Sequence, residues 1–177
     1  MHSIIVFLLL GSALDAPGPD RILERYVQAV GGRAALERLE SRIVTGRQID
    51  DRPYRGPVEI TPLVLVFPDP ELTDRKIRFL LDPRSPLLLE QMFHDLETAG
   101  TRMVDGRLHH VLESDLDPAY YSLLFDAETG LLTGICYYWT LSDYREVDGV
   151  LVPFRVHRSR KGGSTVWEFE TVGHPRR

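Results

Sequence analysis

Few residues in this chain have the type and spacing that chemistry requires. His109 and His110 are adjacent in a strand-like run. Neighbours in a strand point to opposite faces, so the pair cannot share one metal as an i, i+2 strand pair or an i, i+4 helix pair can. His94, His157 and His174 add no ligand spacing, and no metal site or cofactor is read from the sequence. Cys136 is the one cysteine, which excludes an internal disulfide and a Cys-rich zinc site. Nothing local, such as a helix N-terminus, would activate its thiol. Glu113, Asp115 and Asp117 stand at alternate positions in ESDLD. The glycine and closing glutamate of a calcium loop are missing there, so the segment reads as a solvated turn. Arg145 is placed by alternation on an otherwise apolar strand face. Aimed into a cavity, it would bind an ester carbonyl or a lipid headgroup; turned outward, it would pair with Asp143. With no nucleophile–base pair in view, the chain does not read as an enzyme.

Composition narrows the partners. The chain has 177 residues, of which 43% are hydrophobic, enough for one domain with its own core. Acidic residues outnumber Lys and Arg by 26 to 21, and no basic run is present. A nucleic-acid partner is therefore not expected, because backbone binding needs a positive footprint. The aromatic cluster Tyr120, Tyr121, Tyr137, Tyr138 and Trp139 has no basic groove beside it and reads as cavity or core. Residues 1–16 read as a signal peptide. Ile4–Leu10 is an apolar run far shorter than the roughly 20 residues of a membrane span, and small residues follow it. Cleavage after Ala13 or Ala16 would fit, although no Lys or Arg precedes the run; a buried N-terminal strand is the alternative. The expectation is a mature domain of residues 17–177, periplasmic or secreted, without a transmembrane helix.

These side chains must be positioned by a mixed set of elements. Ile22, Leu23, Tyr26, Val27 and Val30 recur at helical spacing behind an Asp20 N-cap, and Gly31-Gly32 ends the helix. A second short helix covers 33–40, and Ser85-Pro86 opens a third over 86–96. Between and after them the period falls to two. Strands are expected near 42–49, 56–67, 74–81, 98–104, 107–113, 120–126, 131–141, 143–147, 150–159 and 164–172. Asp105-Gly106 and Asp148-Gly149 are two-residue hairpin turns, and Asp126–Gly130 is a longer one. Pro62 and Pro153 lie inside strand runs and mark edges, bulges or breaks, since neither can donate to a ladder.

The fold expected is α+β: one large curved antiparallel sheet with two N-terminal helices and one inserted helix over its concave face. Alternation puts Val58, Ile60, Leu65, Phe67, Ile77, Phe79, Tyr137, Trp139, Val152, Phe154, Trp167 and Phe169 on the apolar side, with Leu89, Met92 and Phe93 facing them from the third helix. If the helices cover this hollow without filling it, these residues line a site for an apolar ligand. If the side chains close on one another, they are core.

Five segments carry a family resemblance: ILERYVQAVGGRAALERLESR at 22–42, VEI at 58–60, MVDGR at 103–107, FDAETGLL at 125–132 and YREVDGVLVPFRV at 144–156. Together they resemble the LolA/LolB-like group of bacterial envelope proteins, the outer-membrane lipoprotein-sorting proteins. The resemblance implies a half-open barrel with helices in its mouth. It also implies a periplasmic carrier for acyl chains of a lipoprotein or other lipid, with a further envelope protein as a possible partner. The segment 68–97 is shorter than is usual in that group, and no functional residue of the group transfers one-to-one. An envelope structural or interaction protein with a closed core is the alternative, and an enzyme using the same cavity is the weakest of the three.

Overall fold

The computed structural model describes residues 17–39, 42–51, 59–67, 82, 84–92, 95–114 and 122–173. The expectations for residues 1–16, for a strand over 74–81, and for Val58, Ile77, Phe79 and Phe93 lie outside them, as do His94, His174, Asp115, Asp117, Tyr120 and Tyr121. Backbone is described for Ile60, Leu65, Phe67 and Met92, but not their side chains.

Three helices and nine strands are described. They are α1 (Pro19–Ala29), α2 (Arg33–Glu37), β1 (Arg42–Asp51), β2 (Glu59–Phe67), α3 (Ser85–Met92), β3 (Leu96–Val104), β4 (Arg107–Ser114), β5 (Ser122–Asp126), β6 (Leu132–Ile135), β7 (Trp139–Val147), β8 (Val150–Arg160) and β9 (Gly163–Gly173). All strands join one antiparallel sheet in the order β2-β1-β9-β8-β7-β6-β5-β4-β3, which curves without closing. The α+β fold with one large curved antiparallel sheet, expected from the alternation, is what forms.

Several boundaries differ from expectation, each for a local reason. α1 starts at Pro19, whose fixed φ suits a first helical position, so Asp20 lies in the first turn and no side chain caps the helix. α3 stops at Met92: Asp95 takes a left-handed φ of 54°, and Leu96 already belongs to β3. The run expected as one strand over 131–141 is broken. Cys136 and Tyr137 both take positive φ, so a hairpin pairs Ile135 with Trp139 and the later residues join 143–147 in β7.

The sheet forks. β8 pairs with β9 only from Arg155↔Glu168 to Arg160↔Gly163. Below that point β8 stays with β7, down to Val150↔Val147, while β9 continues along β1 to Gly173↔Ile43. Pro153 falls in the stretch where β8 has lost β9, and Pro62 falls on β2, an edge strand among the described residues. Both prolines thus sit where a missing N–H costs no ladder bond. At Thr45/Gly46 the β1–β9 register shifts, and a Cβ on Gly46 would lie 2.1 Å from the Glu168 carbonyl oxygen, so only glycine allows this approach.

The inner side of the sheet and the helices share one core. Ile22, Leu23, Tyr26 and Val27 of α1, Leu36 of α2 and Leu89 of α3 pack with Leu112, Phe125, Leu141, Val156 and Trp167. Tyr26 meets Phe125 edge-on, with ring centroids 5.5 Å apart.

Candidate functional site

The inner wall is built around two tryptophans, the only two in the chain. Trp139 opens β7 and Trp167 lies in β9; their rings stack at 5.5 Å and 19° across β8. Val152, Phe154 and Val156 of β8 and Phe169 of β9 extend the wall, and all six are buried. Of the sequence candidates, Leu89, Trp139, Val152, Phe154, Trp167 and Phe169 are thus brought into one core.

One end of the wall is polar and internally satisfied. Trp167 Nε1 donates to Gln48 Oε1 at 2.9 Å, and Gln48 Nε2 donates to Asp50 Oδ2 at 2.7 Å. Asp50 Oδ1 accepts from the Thr165 hydroxyl at 2.5 Å and from Arg160 at 3.2 Å. Burying Asp50 and Thr165 is tolerable because each has partners. The chain also fixes the Trp167 indole. Arg158 lies over the Trp139 ring, 4.9 Å from its centroid.

Two candidates are corrected. Tyr137 is not on the inner wall: its positive φ in the β6–β7 turn carries it outward, leaving it half exposed. Its hydroxyl accepts from Arg102 at 2.9 Å, and the Arg102 guanidinium also covers its ring. Arg145 does not enter the interior either. Asp143 takes a φ of 54°, which interrupts alternation within β7. Arg145 is therefore exposed, bound to Asp143 at 2.6 Å and resting over the Phe154 ring at 4.5 Å. The Arg145 bond is the main reason Asp143 is held below the usual carboxylate range. Arg145 lines a cleft of about 490 Å³ at the fork together with Phe154 and Phe169 of the wall, and there Glu168 bridges Arg47 and Arg155 at 2.6 and 3.0 Å.

Tyr144 takes the inward place that alternation gave to Arg145. Its hydroxyl donates to the Leu132 carbonyl at 2.6 Å and also meets Tyr26, which in turn hydrogen-bonds Ser85 of α3. Burial raises both phenols, Tyr144 well above its ordinary value, so both remain protonated at neutral pH. This hydroxyl chain links α1, α3 and β7. Phe125, Leu123 and Tyr144 were not among the sequence candidates. Phe125 could have been found from the alternation through FDAETGLL, but nothing local announced Tyr144.

α1 is seated on two hairpins, on the first by main chain and on the second by its side chains. At its end, the Leu151 amide donates to the Val30 carbonyl at 2.9 Å. Gly31 approaches so closely that a Cβ there would lie 2.3 Å from the Gly149 carbonyl oxygen. On its flank, Arg25 donates to the Glu128 carbonyl at 2.7 Å, and Gly130 passes under Arg25 and Ala29. Asp126 holds that second hairpin: its Oδ1 accepts from the Glu128 and Thr129 amides, and its Oδ2 binds Arg107 at 2.6 Å. Burial alone would raise the Asp126 carboxyl, but the Thr129 and Arg107 bonds outweigh it and hold it low.

No protein-family model matches this chain, and no curated protein matches it. A solved structure of a DUF1329 family protein from Desulfovibrio piger aligns over 88% of this chain and 92% of its own, at 12% identity and a TM-score of 0.48. A likeness at that level carries no argument about function.

Among the described residues, no helix is long and apolar enough to cross a membrane.

Proposed function

We propose that this protein is a carrier of the bacterial envelope, periplasmic or secreted, that takes acyl chains of a lipoprotein or other lipid against the inner wall of its sheet. The observation that carries this reading is the wall itself: an unclosed sheet whose inner side presents Trp139, Trp167, Phe154 and Phe169, roofed by helices of 11, 5 and 8 residues. Helices this short do not persist alone, so the roof is stable only while it is docked. The likeness of the sequence motifs to the LolA/LolB-like group supports the same reading. Each methylene moved from water to the wall contributes roughly 0.8 kcal/mol, so a chain of about fourteen carbons supplies on the order of 10 kcal/mol towards displacing part of the roof.

A second reading, a non-catalytic envelope protein with a permanently closed core, is favoured by the tightness of the wall: Trp139 is 4% and Trp167 6% exposed. One measurement separates the two. Because both tryptophans stand in the wall, a brominated fatty ester that enters it quenches intrinsic fluorescence on contact. The carrier reading expects saturable quenching, and acyl lipid in the mass spectrum of natively expressed protein. No quenching and no lipid would leave the closed-core reading.

A further inference from the structure

We propose that a second cleft, between α1 and the inner side of β4–β5, binds an anionic oxygen group, a carboxylate or phosphate, carried on an apolar body. The cleft has a volume of about 550 Å³ and lies away from the tryptophan pair. Arg21, Arg25 and Gln28 of α1 line it from one side, at positions that share a helix face. His110 and Phe125, direct partners across β4 and β5, line it from the other, with Ile22 between.

The donors are available. The Arg21 side chain makes no hydrogen bond or ion pair among the described residues. Arg25 donates one nitrogen to the Glu128 carbonyl, and a guanidinium has five N–H groups. His110 Nδ1 is buried without a partner, and the residue lines the cleft. Burial first, and Arg25 second, hold this imidazole below its ordinary pKa. Two carboxylates belong to the same lining. Asp126 is spent on Arg107 and Thr129, so Glu24 is the one competitor for the arginines. Ile22 and Phe125 supply apolar lining, and two more apolar side chains are exposed further along β3 and β4. Leu108 lies two residues from His110 on the same side of β4 and pairs with Met103, and they are 46% and 62% exposed. Large exposed apolar side chains beside unspent arginines fit an amphipathic anion better than a polar metabolite.

This inference does not depend on the carrier reading, and the two are read by different probes. Octyl phosphate, octanol and inorganic phosphate would be titrated by calorimetry and by the NMR signals of the His110 ring. Octyl phosphate is expected to bind at least about tenfold more tightly than either. It should shift the His110 ring and leave tryptophan fluorescence unchanged. Arg21→Gln should weaken it by about fivefold without altering Tm, and Glu24→Gln should strengthen it. Inorganic phosphate binding as tightly as octyl phosphate would keep the anion site and overturn the apolar body. Octanol binding as tightly as octyl phosphate, or an unchanged affinity in Arg21→Gln, would overturn the anion site. Quenching by the brominated ester would be untouched by either result.

Discussion

α1 and α3 roof the same wall but are held in different ways. α1 has, besides its buried side chains, a main-chain seat at its C-terminal end, where Val30 accepts from Leu151 and Gly31 abuts Gly149, and its Arg25 side chain reaches the Glu128 carbonyl. α3 is held by side chains, chiefly Leu89, which is fully buried, and the Ser85 hydroxyl on Tyr26. A backbone seat has few alternatives, because moving it strands peptide groups. A side-chain seat can be vacated and refilled by another apolar group. On the proposed carrier reading, α1 is then part of the frame and α3 the part of the roof that a guest would replace.

The sharpest way to break this comparison is Gly31→Ala. The new methyl would face the Gly149 carbonyl oxygen at 2.3 Å in a backbone held at a φ of 124°. We expect a loss of about 4 kcal/mol in urea unfolding. Gly106→Ala is the control: it has a positive φ but open space, and should cost about 1 kcal/mol. Equal costs at the two sites would mean that α1 is not seated on the hairpin.

Leu89→Ala comes next, at about 3 kcal/mol if the cavity does not collapse. Its signature should be local. Amide exchange should quicken across α3 and leave α1 protected, and lipid-induced quenching should reach saturation at lower ligand. Exchange rising equally in both helices would erase the distinction between frame and cover.

Asp126→Asn should cost about 2 kcal/mol, because the charged bonds from Arg107 and the Thr129 amide organise the hairpin under α1. The pH dependence has a defined sign. The folded carboxyl is held below its unfolded value, so its stabilisation is present above the unfolded pKa and lost as pH falls through the folded one. The variant should lack that part of the acid-induced loss.

These contacts explain which parts of the architecture could be read from the sequence. The motifs that stood out, VGG, DAETG and VDGV, are the places where α1 meets the hairpins, and there glycine or aspartate is favoured by positive φ or close approach. Pro62 and Pro153 were legible for the same reason: a missing N–H has one kind of place in a sheet. Side-chain placement was legible only while alternation held. It failed at two points, Cys136-Tyr137 and Asp143, where left-handed residues interrupt the strand. In a non-glycine residue such a conformation leaves little trace in composition, and each interruption moved a candidate, Tyr137 and Arg145, to the outside. A helix end was misjudged as well: α3 is described to Met92 and β3 begins at Leu96, where a longer apolar period suggested that the helix continued.

The smallest expected effects lie in one pair of neighbours, and they test the second of those failures. Tyr144→Phe removes the hydroxyl that donates to the Leu132 carbonyl and meets Tyr26, and should cost about 1 kcal/mol. Because that hydroxyl also connects α1, α3 and β7, the variant should loosen the cover and alter the quenching isotherm slightly. Arg145→Leu removes an exposed cation whose partners are Asp143 and the Phe154 ring. It should leave lipid-induced quenching as it is in the parent protein. If instead the leucine variant changes the isotherm and the phenylalanine variant does not, then Arg145, and not Tyr144, is the residue that faces the guest.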